Sequence, residues 1–148
     1  MSVLLSAADR GALQQAAEAL AGGAVVAVPT DTVYGLAADP HLPDAVDRLF
    51  TVKGRPADVP LPLLVAGPEQ VELVTAPLDA AAAALAERFW PGPLTLVIPR
   101  RRGFSADLGG PPSARRTVGV RRPDHPVVAA LCTRRRWTGR RHRSRRRG

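Results

Sequence analysis

Apolar residues recur at Leu13, Ala16, Ala17 and Leu20 with the i, i+3, i+4, i+7 spacing of one helix face. They predict a first helix, capped by Ser6 and running to about Ala21, where Gly22-Gly23 stop it. Ala24 to Val28, "AVVAV", is a continuous apolar run suited to a strand covered on both faces. Pro29 ends it, and "TDTVYGLAADP" reads as a polar crossing segment. A second helix is expected from Pro43 to about Val52, with Leu42, Val46, Leu49 and Phe50 on one face. Leu61 to Ala66 reads as the next strand. Short helices follow near Glu69–Val74 and Leu78–Trp90, then a strand over Leu94–Ile98. Residues 100–116, rich in glycine and arginine, read as a mobile surface loop. Thr117–Val120 gives a fourth strand and Pro126–Cys132 a last short helix. Strands alternating with helices argue for a layered α/β domain.

Length permits one domain with a real core, since the chain has 148 residues. No apolar run reaches the roughly 18 residues of a membrane span. The start, "MSVLLSAADRG", lacks the basic flank and apolar length of a signal peptide. A single cysteine, Cys132, excludes a disulfide framework within the chain and a multi-cysteine zinc site. These features predict a cytoplasmic location.

Charge changes the picture more. The formal net charge is +8, yet residues 134–148 carry nine arginines and no acid. Without them 12 basic groups face 13 acidic ones, so the body is close to neutral. A uniformly basic nucleic-acid binder would look different.

Candidate chemistry gathers in three polar segments, Thr30–Gly35, Lys53–Asp58 and Arg121-Arg122. Lys53, the only lysine, is a compact point charge suited to phosphate, and Arg55 offers a planar fork for phosphate or carboxylate. Thr30 and Thr32 supply hydroxyls, and Gly35 lets backbone approach closely. Taken singly, each segment has a plainer explanation: a solvated loop, a capped turn, surface charge. Neither GxxxxGK[ST] nor GxGxxG is present, nor is HExxH, and three histidines form no convincing nucleophilic triad.

Taken in order, "GGAVVAVPTDTVYGLAADP", "RLFTVKGRPAD", "FWPGPLTLVI" and "TVGVRRPDHP" resemble the YrdC-like family of threonylcarbamoyl-adenylate synthases over roughly residues 10–132. The resemblance implies a three-layer fold, a twisted mixed sheet flanked by helices around a concave basic cavity. It implies that L-threonine and bicarbonate or CO2 give a carbamate that attacks the α-phosphate of ATP, with Mg2+ accompanying the nucleotide. Pyrophosphate leaves, and a transferase complex passes the threonylcarbamoyl group to tRNA. By the same resemblance Lys53 and Arg55 face phosphates and substrate, Thr32 and Arg121 bind L-threonine, and Thr117 touches the nucleotide. No residue is assigned to a protein-held metal.

The pattern breaks at the C-terminal end. The family's Ser-x-Asn motif is missing, because the chain has no asparagine. Val59 and Leu64 stand where some members place polar side chains. Residues 1–132 are therefore expected to form a YrdC-like domain incomplete at its C-terminus, with 133–148 a disordered Arg-rich tail. A frameshift or truncation near residue 133 would explain that tail, and a chain cut there would expose apolar sheet and be poorly soluble. A native tail would instead contact tRNA or double-stranded RNA through phosphates. The competing function is a non-catalytic RNA-binding member of the family. A carbamoyl-transfer module cut from a larger enzyme is a third option, which the absence of flanking zinc-finger or acylphosphatase-like segments disfavours.

Overall fold

The computed structural model describes residues 4–54 and 56–134. Helix α1 spans Arg10–Ala21 and buries Ala12, Ala16 and Leu20. Its cap is Asp9, not Ser6: an Asp9 carboxylate oxygen accepts from the Gly11 N–H at 3.3 Å. Ser6 instead forms the turn before the helix, its carbonyl accepting from the Asp9 N–H. Strands β1 (Val26–Val28) and β2 (Gly35–Ala37) pair antiparallel, Val28 opposite Gly35. Thus Gly35–Ala37 of the expected crossing segment is a strand, and residues 29–34 are the connection of a β-hairpin.

Helix α2 (Pro43–Lys53) starts on a proline in its first turn and ends at Gly54, whose φ of 59° is left-handed. Strand β3 is shorter than expected, Leu63–Leu64. It lies parallel to β5 (Thr117–Arg121), and β4 (Thr95–Pro99) pairs antiparallel on the other side of β5. Helices α3 (Pro68–Val74) and α4 (Ala80–Phe89) fall between β3 and β4, and α5 runs Pro126–Arg134, taking in the first two residues of the expected tail. The remainder of that tail lies outside the described residues.

The layers follow from the alternation along the strands. Val118 and Val120 of β5 and Leu63 of β3 point into a core filled by Val46 and Leu49 of α2 and Val71 and Val74 of α3. On the other side α1 and α5 pack together over β1, through Leu20, Val28, Val128 and Leu131, with Leu64 against them. Thr117, Gly119 and Arg121 alternate with the buried valines and so share the opposite face of β5. Thr95 and Val97 of β4 lie beside them, and Val97 is 71% exposed. The architecture is therefore α/β, a mixed sheet flanked by helices, as the resemblance implies.

Residues 100–116, expected as a surface loop, pack against the body. Leu108 is buried in the core, and its carbonyl accepts from the Leu61 N–H at 2.8 Å. The Arg100 guanidinium donates to the carbonyls of Ala106 (2.6 Å) and Thr117 (3.3 Å) and lies over the Phe104 ring. Pro112–Arg116 forms a 3-10 turn leading into β5. Burial lowers the Arg100 pKa; Asp107 opposes that shift and Arg115 adds to it.

Candidate active site

Arg121 closes β5, the central strand of its sheet. Its backbone carbonyl accepts from the Val65 N–H, and Thr95 and Leu64 are its neighbours on either side. The side chain therefore leaves a fixed point. Its Nε donates to the Gly92 carbonyl at 3.1 Å, while the Gly92 N–H donates to the Arg122 carbonyl at 2.8 Å. Only glycine fits at that position, because an added Cβ would lie 2.4 Å from the Phe89 carbonyl oxygen.

The hairpin between β1 and β2 meets this guanidinium. Nη1 and Nη2 both converge on the Thr32 hydroxyl at 3.4 Å, and Nη2 also forms an ion pair with Asp31. The Arg121 and Asp31 side chains are each 15% exposed. The proton order in the turn follows from its donors. Thr30 donates its single hydroxyl hydrogen to the Val33 carbonyl. The contact of 3.1 Å between the two threonine hydroxyls is then donated by Thr32. Thr32 thus presents lone pairs, not a hydrogen, to Arg121.

Thr117 lies four residues back on the same face of β5, about 13 Å away along an extended strand. It lines a half-open, mostly apolar cavity of about 220 Å³ together with Pro60, Pro62, Thr95, Val97 and Gly119. Gly119 keeps the floor low between Thr117 and Arg121. A Cβ there would make only ordinary contacts, 3.5 Å from Thr95 and 3.6 Å from Pro62.

Lys53 is the last residue of α2 and is exposed. A cation at a helix C-terminus is favoured by the carbonyl dipoles there. Among the described residues its ammonium has no side-chain partner, and nothing joins it to the Thr32–Arg121 cluster. Arg55 lies outside the described residues. The loop that follows is pinned from Ala57 onward, where the Ala57 carbonyl accepts from the Gly110 N–H at 2.8 Å. The structure therefore unites Thr32 with Arg121, sets Thr117 on the same strand face, and leaves Lys53 apart.

Sequence reasoning passed over two members of the cluster. Asp31 is the one acid in "PTDTVYGL", and Gly92 sits between two prolines in "WPGPL". An acid in an otherwise neutral motif, in a chain with an arginine at a strand end, was the available signal for Asp31. Gly92 carried none, since its part is played by a backbone carbonyl. Among the described residues no group of three or more His, Cys, Asp or Glu side chains could hold a metal ion.

Comparison with known proteins assigns the family. Residues 18–137 match the Sua5/YciO/YrdC family model, described as "Telomere recombination". The chain belongs to this family. It is 43% identical over 121 residues to the threonylcarbamoyl-AMP synthase of Bacillus subtilis, a match covering 80% of this chain and 34% of that protein. Against the Halorhodospira halophila enzyme of the same name it is 42% identical over 121 residues, covering 82% and 62%. Among solved structures, a variant of Pyrococcus abyssi Sua5 superposes with a TM-score of 0.77 at 41% identity, covering 84% of this chain and 37% of that one. P. abyssi Sua5 complexed with L-threonine gives 0.72 at 40% identity, covering 84% and 36%. The chain thus spans from about a third to under two thirds of the length of these relatives.

Proposed function

We propose that this chain carries the L-threonylcarbamoyladenylate synthase activity, a nucleotidyl transfer that supplies tRNA threonylcarbamoyladenosine modification. The observation that carries it is the union of Thr32 and Arg121, 89 residues apart in sequence, at one end of a strand whose other end presents Thr117 beside a cavity. The curated relatives bear the synthase name, and a Sua5 relative has been solved with L-threonine. That shared name favours the synthase over the non-catalytic RNA-binding alternative.

In the reaction, the amine nitrogen of L-threonine bonds to the carbon of bicarbonate with loss of water, or to CO2 with loss of a proton, and gives a carbamate. A carbamate oxygen then bonds to the α-phosphorus of ATP, the bond from that phosphorus to the bridging oxygen breaks, and the electron pair leaves with pyrophosphate. Arg121 receives the threonine carboxylate and Thr32 lies beside it. Thr117 and the cavity hold the nucleotide side. Lys53, with Arg55, offsets the negative charge that accumulates as an anionic carbamate meets a triphosphate, and such charge stabilisation usually dominates this kind of catalysis. Holding both substrates on one strand face supplies the positioning. Mg2+ enters as the companion of ATP; the donor set of the described residues does not form a cage for it, and no step is routed through it. The product passes to a tRNA-modifying transferase complex, and contact with tRNA or double-stranded RNA falls to the Arg-rich C-terminal residues, in the cytoplasm.

The test is pyrophosphate release from ATP by the 148-residue chain, with and without L-threonine and bicarbonate. Release that needs both is the expected result. Release independent of threonine, or none from folded protein, overturns the proposal for this chain.

A further inference from the structure

We infer that Asp31 is an internal competitor for the substrate carboxylate at Arg121, setting how tightly the site takes its amino acid. This rests on the synthase reading, in which Arg121 receives the carboxylate of L-threonine. A guanidinium binds a carboxylate best through two parallel N–H···O bonds, along either its Nε–Nη2 edge or its Nη1–Nη2 edge. Here the first edge is filled, Nε by the Gly92 carbonyl and Nη2 by Asp31. The second edge carries only the Thr32 hydroxyl, at 3.4 Å from both nitrogens, longer than an ordinary N–H···O bond. An incoming carboxylate must take this edge, using the Nη1 hydrogen and the second Nη2 hydrogen, and so lies beside the Asp31 carboxylate on the same guanidinium.

Removing Asp31 would not release Arg121. The Gly92 carbonyl holds Nε, and Gly92 is itself tied to the Arg122 carbonyl at the end of β5. Asp31, by contrast, rides on the hairpin connection beside Val33 and Tyr34, which are 72% and 78% exposed. The Asp31 side chain is itself 15% exposed, and its charge on Nη2 offsets that of the guanidinium. Its negative charge also repels the substrate carboxylate while it stays. Neutralisation and repulsion both weaken L-threonine binding, so the Asp31–Arg121 ion pair opposes the ligand.

The experiment is calorimetric titration of the full chain with L-threonine, alongside thermal unfolding. Asp31→Ala and Asp31→Asn should bind L-threonine about tenfold tighter than the parent chain, the scale of one charge-assisted hydrogen bond. Asp31→Glu, which keeps a carboxylate, should stay near the parent. Unchanged or weaker binding in folded Asp31→Ala and Asp31→Asn overturns the inference and makes Asp31 a support for Arg121. Arg121→Met is the control for the site. If it binds L-threonine as well as the parent, or if the parent does not bind, the threonine site itself is wrong, a distinct failure from that of Asp31.

Discussion

At the end of β5 the Arg121 guanidinium is tied down. The guanidinium is anchored by a backbone carbonyl, paired with Asp31 and set against Thr32, and the Arg121 and Asp31 side chains are mostly buried. Among the described residues Lys53 is held only by its position at the end of α2, where it is exposed. The first arrangement suits a ligand group recognised by shape, a carboxylate with a fixed orientation. The second suits a flexible polyanion, which a mobile point charge can follow. A fixed, neutralised cation discriminates; an unpartnered one attracts and stabilises developing charge.

Breaking the exposed end should cost the most. Lys53→Ala is expected to lower kcat/KM for pyrophosphate release by about 10²–10³, the range for loss of one charge-stabilising donor, with no change in L-threonine affinity. A loss under tenfold would mean that Lys53 is only a solvated helix-end charge. At the tied end, Arg121→Met should raise the KM for L-threonine about fiftyfold while leaving the KM for ATP near its original value. Arg121→Lys should not restore it, since an ammonium lacks the planar fork. Equal effects of Arg121→Met on both substrates would erase the distinction between the two ends.

The closed end has its own reporter. Cys132 on α5 donates through Sγ to the Leu64 carbonyl, and Leu64 is the β3 neighbour of Arg121. Burial pushes the Cys132 thiol from 9.0 up to about 11. A raised folded-state pKa gives stability that is complete below the unfolded value and lost as pH rises through the folded one. Unfolding free energy should therefore fall by about 2 kcal/mol between pH 9 and 11 because of this group. Chemical denaturation of Cys132→Ser, which keeps a donor but does not ionise, should lack that component. An identical decline in both proteins would show that the helix behind Arg121 opens to water.

Much of the fold was legible because its signals are local. Pro43 announced α2, the Leu13–Leu20 stripe announced α1, and the apolar runs located β4 and β5. What failed depended on partners distant in sequence. Gly35–Ala37 is too short and small-chained to read as a strand, and becomes one only by pairing with β1. Residues 100–116 have loop composition, but Leu108 reaches the core and Arg100 binds three neighbours. Ser6 and Asp9 stand three apart as rival caps, and spacing alone does not choose between them. At the site, motif matching singled out Thr32, Arg121, Thr117 and Lys53 individually. It could not show that Thr32 and Arg121 touch, or that Asp31 reaches from the hairpin to Arg121, because those contacts exist only after the two sheets are brought together.

The smallest expected effect tests whether the Lys53 end depends on backbone shape. Gly54 takes a left-handed conformation, with its N–H donating to the carbonyls of Phe50 and Thr51. A Cβ placed on it would meet nothing within 4 Å, so Gly54→Ala has no steric clash to relieve. Its cost is backbone strain alone, about 1 kcal/mol, read as a lowered midpoint in chemical denaturation. Gly54→Asn should recover part of that loss, because asparagine tolerates the left-handed region. If Lys53 acts as a mobile point charge, Gly54→Ala should leave kcat/KM within a few-fold of the parent despite the lost stability. A loss of activity approaching that of Lys53→Ala, at so small a stability cost, would mean that the turn aims the ammonium, and that the exposed end is as preorganised as the buried one.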